Sequence, residues 1–153
     1  MTKKPTNELE HILKKTKPDN IQQFLREHAD SFVPQERPFS EFVHKVLRKN
    51  GLTQQEVFLR ADISERYGYK LLSEEKRTKQ RDYILRICYA ANMTLEETQT
   101  ALTLYGMAQL YARIPRDAVL MIAFNQHRTD IISVNALLDE HGMEPLRSSG
   151  NME

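Results

Sequence analysis

A chain of 153 residues, 40% apolar and 28% charged, has the make-up of an ordinary soluble protein and can bury one core with a small appendage. Its single cysteine, Cys88, excludes an intrachain disulfide and a cysteine-based zinc knuckle, and no apolar run approaches the ~18 residues a membrane helix needs. Five isolated glycines leave no phosphate-cradling loop, and the five histidines make no HExxH or i, i+4 pair, so no catalytic, metal or cofactor site is expected.

Charge is unevenly laid out behind a net value of +1: residues 36–86 hold twelve basic and eight acidic groups, residues 87–153 four basic and eight acidic. With no signal peptide recognisable, the expected location is cytoplasmic. A local basic footprint on a near-neutral chain suits a nucleic-acid module joined to something else, and a solvated polar surface has the same composition.

Strand-type alternation is absent and breakers recur at regular intervals, which predicts an all-α fold. Leu9, Ile12 and Leu13 stand at helical spacing and predict a helix over residues 7–15, broken at Lys17-Pro18-Asp19-Asn20. Ile21, Phe24, Leu25 and His28 line a second short helix, and residues 31–38, with two prolines, read as a linker. This N-terminal hairpin, residues 1–35, is too small to fold alone and must dock on a core or a partner.

Residues 53–81 hold two short helices separated by a tight turn. Thr53 and Ser64 are N-cap residues, Glu56 stands where a capping box needs it, and Ala61-Asp62-Ile63 forms the turn. Two helices joined by so short a turn must cross steeply. A basic stretch follows: Lys76, Arg77, Lys79, Arg81 and Arg86, against only Asp82. Cys88 lies among Ile84, Leu85, Ile87 and Tyr89 and reads as a buried, reduced thiol; Tyr83 and Tyr89 read as core residues with their hydroxyls at the edge.

The C-terminal half repeats itself. Arg81-Asp82-Tyr83-Ile84-Leu85-Arg86-Ile87 matches Arg116-Asp117-Ala118-Val119-Leu120-Met121-Ile122 at an offset of 35, and Gln99, Leu102, Gly106, Met107 and Leu110 match Asn135, Leu138, Gly142, Met143 and Leu146 at 36. One helical hairpin therefore occurs twice with a single inserted residue, Thr94 or Thr129 lies near each turn, and each second helix stops at a glycine suited to a left-handed backbone. The second copy, residues 111–146, should pack beyond the first as a compact extension, and residues 147–153 read as a disordered tail.

Phe39-Ser40-Glu41-Phe42-Val43, Gly51-Leu52-Thr53-Gln54, Ala61-Asp62-Ile63-Ser64 and Lys70-Leu71 together make residues 39–104 resemble the lambda-repressor/Cro-like (XRE-type) helix-turn-helix family. The resemblance implies a five-helix bundle over residues 36–110 that places its recognition helix in a DNA major groove. It implies that Glu65, Arg66, Tyr69 and Lys70 meet base edges and that Gln54 touches a phosphate. Lys76, Arg77, Lys79 and Arg81 occupy the region that holds phosphates in that family. Leu110-Tyr111-Ala112-Arg113-Ile114-Pro115-Arg116-Asp117 is similar to a segment in a group of helix-turn-helix regulators of anaerobic Gram-positive bacteria. The sequence departs from the family pattern at Gly68, where a side chain is usual and another backbone could come close. It departs also at Leu72, at Glu74 in place of the helix-stopping Gly, and at Asp62 in place of a turn Gly.

The implied function is sequence-specific binding of double-stranded DNA by a transcriptional regulator, as a homodimer on two half-sites. A second reading is a protein-interaction adaptor, or antitoxin-like partner, that retains the same fold. It rests on Glu65, Glu74 and Glu75 in or beside the recognition helix, where carboxylates repel phosphate, and on an exposed Tyr69 able to meet either a thymine or a protein.

Overall fold

The computed structural model describes residues 5–32 and 37–148, and every regular element among them is helical. The chain divides into two compact units, residues 1–36 and 37–153.

The first unit holds α1 (Thr6–Lys15), a 3-10 turn (Pro18–Asn20), α2 (Ile21–Glu27) and a second 3-10 turn (Ala29–Ser31), so that Ser31 is not the linker residue expected. Among its described residues Phe24 is the one buried apolar side chain; its ring sits 4.6 Å from that of His28 and 6.1 Å from that of Phe32. Of the expected linker, residues 33–36 lie outside the described residues. Pro38 is no linker residue: it is the first residue of α3, where a missing N–H costs no hydrogen bond.

The second unit holds α3 (Pro38–Asn50), α4 (Gln54–Ala61), α5 (Glu65–Leu72), α6 (Arg81–Ala90), α7 (Leu95–Tyr105), α8 (Pro115–Asn125) and α9 (Ile131–Glu140). Helix α6 is its centre. Every residue from Tyr83 to Ala90 is buried, and α4, α7 and α9 pack around it, while α3 packs on α5 and α7. A short helix apolar on nearly all sides is stable only when enclosed in this way. Cys88 lies inside α6, and burial pushes its thiol pKa up to about 12. The Tyr89 hydroxyl is not at an edge as expected. It donates to the Leu120 carbonyl (2.7 Å) because α8 covers it.

The two copies of the hairpin share their turns and C-terminal closures. Asn92 and His127 take the same left-handed turn (φ 55° and 56°), as do Gly106 and Gly142 (83° and 69°). The Met107 N–H bonds to the Leu102 carbonyl and the Met143 N–H to the Leu138 carbonyl, both at 2.9 Å, closing each second helix with the same C-terminal motif. Gln99 accepts from the Leu110 N–H and Asn135 from the Leu146 N–H, both at 2.8 Å. The caps differ: Thr94 accepts from the Glu97 N–H, but in the second copy the cap is Asp130, accepting from the Ser133 N–H (2.9 Å). Thr129 is thus the inserted residue and not the counterpart of Thr94.

The copies face each other through swapped contacts. Arg81 forks onto Asp117 (2.5 and 3.1 Å), and Arg116 forks onto Asp82 (3.0 and 3.1 Å). Asp117 also accepts from the Tyr111 N–H and Asp82 from the Arg147 N–H, both at 2.9 Å. Between them Tyr89 stacks on its repeat counterpart Phe124, ring centres 3.7 Å apart and planes 7° from parallel. Reciprocal pairing of like positions is the signature of a twofold relation, here built inside one chain.

Arg147 and Ser148 are ordered parts of this arrangement and not tail. The Arg147 carbonyl accepts from Arg86 (2.7 Å) and the Ser148 carbonyl from the Tyr83 hydroxyl (3.4 Å). A buried guanidinium needs acceptors, and this segment supplies them. Residues 149–153 of the expected tail lie outside the described residues.

Candidate functional site

Helix α4 starts on Thr53, whose Oγ1 accepts from the Glu56 N–H (3.1 Å) and whose hydroxyl donates to the Glu56 carboxylate (3.2 Å). This is half of the capping box expected there. The complete box forms at Thr94 and Glu97, where Glu97 also accepts from the Thr94 N–H (2.9 Å). Burial alone would raise Glu97, but Lys49 and that N–H hold its pKa below the usual carboxylate range.

The turn to α5 is closed by Asp62 in the left-handed region (φ 55°) and by the Ile63 N–H on the Phe58 carbonyl (3.0 Å). Ser64 caps α5 by accepting from the Tyr67 N–H (3.3 Å). Gly68 is explained by a side chain and not by an approaching backbone: a Cβ there would stand 2.5 Å from the Phe58 ring. The ring fills the space above Gly68, which lets α4 and α5 pack closely, and Tyr69 places its own ring edge-on to Phe58 at 5.0 Å.

Tyr67, Gly68, Leu71 and Leu72 form the buried face of α5. Positions 65, 66, 69 and 70 form the opposite face, as a 3.6-residue period requires. Glu65, Arg66 and Tyr69 are exposed, Tyr69 at 40%, and Lys70 is half-buried. Gln54 is half-buried at the first position of α4. In the loop after α5, Lys76 and Lys79 are exposed, and neither side chain has a hydrogen-bond or ion-pair partner among the described residues.

The arginines of the basic stretch are placed differently. Arg77 donates to the Tyr105 carbonyl at the end of α7, lies over the Tyr105 ring (4.1 Å) and pairs with Glu74 (3.1 Å). Arg81 is taken by Asp117. Arg86 is 4% exposed and donates to the Ala61, Leu146 and Arg147 carbonyls at 2.9, 2.9 and 2.7 Å; burial lowers its pKa, against the pull of Asp62 and Asp82. Helix C-termini expose carbonyls that need donors, and a guanidinium fork meets two at once. These three arginines therefore hold the fold, and the free cations of the stretch are Lys76 and Lys79. The Arg-Asp repeat was the one signal in the sequence that marked Arg81; nothing local distinguishes Arg77.

Glu74 is also structural. It adopts a left-handed backbone (φ 63°), a conformation that favours Gly, and its carboxylate accepts from the Ser40 N–H in the first turn of α3 (3.3 Å) and from Arg77. Its charge is thereby compensated, which leaves Glu65 and Glu75 as the exposed carboxylates in or directly after α5.

No family model, no curated protein and no solved structure matches this chain.

Proposed function

We propose that the chain is a sequence-specific DNA-binding regulator of the lambda-repressor/Cro-like type, with α3–α7 as the five-helix bundle, α4 and α5 as the helix-turn-helix and α5 as the recognition helix. The observation that supports it is the outer face of α5. Arg66, Tyr69 and Lys70 stand on it opposite a buried face, and the unpaired Lys76 and Lys79 follow in the next loop. Arg66 and Lys70 would donate to guanine edges, Tyr69 would pack on a thymine methyl or sugar, and Glu65 would accept from cytosine. Gln54, Lys76 and Lys79 would hold phosphates by counterion release. The compensation of Glu74 removes one carboxylate that would have opposed this.

Selection from randomised duplex DNA at two salt concentrations tests the reading. The expected result is an enriched motif whose base preference relaxes at one or two positions in Arg66→Ala. Lys76→Ala and Lys79→Ala should each lower the slope of log affinity against log salt by about 0.9 without changing the motif. Absence of any enriched motif from a folded, helical protein would sink it.

A second reading, an adaptor for a protein partner, is favoured by one observation. Leu59 and Ile132, exposed at 84% and 83%, line one shallow groove with Arg60, Asp62, Asp130 and Asn135. Recovery of a stoichiometric protein whose binding is lost in Leu59→Ser would support that reading.

A further inference from the structure

Tyr69 stands on the outer face of α5 with its ring seated on a buried one. It is 40% exposed and meets the Phe58 ring edge-on, centres 5.0 Å apart and planes 82° apart, within the range that an edge-to-face aromatic pair prefers. Phe58 is itself 1% exposed, and its place at the end of α4 is fixed by the turn, where its carbonyl accepts from the Ile63 N–H (3.0 Å). Gly68 makes the contact possible. A Cβ at that position would stand 2.5 Å from the Phe58 ring, so a larger residue would require the ring to shift from beside Tyr69. The position that admits the ring is thus one at which the chain departs from the helix-turn-helix pattern.

We propose that Tyr69 reads the C5-methyl group of a thymine and that Phe58, through the space left at Gly68, is the positioning residue that holds the Tyr69 ring for it. This deepens, and rests on, the reading of α5 as a recognition helix. In the major groove the thymine methyl is the apolar group that a base edge presents; the other edge groups are hydrogen-bond donors and acceptors, suited to Arg66, Lys70 and Glu65. Tyr69 is the one apolar ring among those three polar side chains on the outer face. An unsupported aromatic side chain must give up rotamer freedom when it docks, and that loss offsets the contact it gains. Phe58 sets the orientation before DNA arrives, so the methyl contact is realised in full. Without that support the same groups stand on α5, but part of the contact is offset by ordering the ring.

The test measures the affinity of the full chain for its selected duplex and for the same duplex with deoxyuridine, which lacks the methyl, in place of each thymine in turn. At one position the wild type should lose about fourfold, the weight of one methyl group. Tyr69→Phe should keep that ratio, and Tyr69→Ala should abolish it. Phe58→Leu and Gly68→Ala should each reduce it to below about twofold, because edge-to-face support changes the population of the seated ring by roughly two- to tenfold. Base preferences set by Arg66 should stay as they are in both variants. The two affinities in each ratio come from one preparation, so a loss of folded protein cancels, and a merely structural role for Phe58 leaves the ratio at its wild-type value. A ratio unchanged in both Phe58→Leu and Gly68→Ala would overturn the positioning role. A selected motif with no thymine whose uracil loss depends on Tyr69 would overturn the whole proposal and leave the recognition helix standing. Failure of the folded wild type to select any motif sinks the recognition helix itself, and this proposal with it.

Discussion

Arg81 holds Asp117 across the two repeated hairpins, and the repeat counterparts Arg116 and Asp82 hold each other in return. The two clamps are alike in bonds and unlike in burial: Asp117 is 1% exposed, whereas Asp82 lies nearer solvent. Removing one partner of a buried pair leaves the other charge poorly solvated. Asp117→Ala should therefore cost about 2–4 kcal/mol and Asp82→Ala only about 1–2 kcal/mol. Urea denaturation of both variants checks this, and equal losses would show that burial does not set the difference.

Gly68 illustrates packing overruling propensity. Gly→Ala inside a helix ordinarily gains about 1 kcal/mol. Here the new Cβ meets the Phe58 ring, so Gly68→Ala should lower stability by about 1–3 kcal/mol. In a Phe58→Leu background the same change should become neutral or favourable. Thermal melts of the two single variants and the double variant give the coupling directly, and an additive result would remove Phe58 as the cause.

Glu74 combines a strained backbone with two useful contacts. Glu74→Ala keeps the left-handed strain and loses Ser40 and Arg77, whereas Glu74→Gly loses the same contacts and relieves the strain. The Gly variant should be more stable than the Ala variant by about 1 kcal/mol. A reversed order in chemical denaturation would mean that the backbone relaxes once the carboxylate is gone.

Arginines and lysines of the basic stretch should separate by assay. Arg86→Met leaves three carbonyls without their donor, two of them in buried contacts, and should cost about 3 kcal/mol, and Arg77→Ala should also destabilise measurably. Lys76→Ala and Lys79→Ala should leave stability within about 0.5 kcal/mol. Stability losses of similar size for the lysines would show that they, too, serve the fold.

Cys88 ties stability to alkaline pH. Its folded pKa, about 12, lies above the ordinary thiol value of 9.0, so the folded state favours the protonated form. Below pH 9 both states are protonated and nothing is lost. As pH rises from 9 toward 12 the unfolded thiol ionises while the folded one does not, and stability falls. Burial shifts Tyr89 in the same direction. Cys88→Ala should flatten the decline in stability above pH 9, and a thiol reagent should label Cys88 at the rate of unfolding.

Much of this molecule is local, and what is local could be read in order along the chain. Helix spacing at Leu9, Ile12 and Leu13, caps at Thr53 and Ser64, and left-handed turns at Gly106 and Gly142 depend on neighbours within a few residues. The repeated hairpin was visible for the same reason, since each copy carries its own start and stop. The exposed face of α5 follows from period alone. Partners distant in the chain decided the rest. Arg77, Arg81 and Arg86 look like a basic patch with Lys76 and Lys79 until Tyr105, Asp117 and Leu146 are brought to them from 28 to 60 residues away. Gly68 needs the Phe58 ring, Glu74 needs the first turn of α3, and Arg147 and Ser148 need α6 before any of them has a reason. Side chains that satisfy a carbonyl or fill a void answer to three-dimensional neighbours, and only the packed helices supply those.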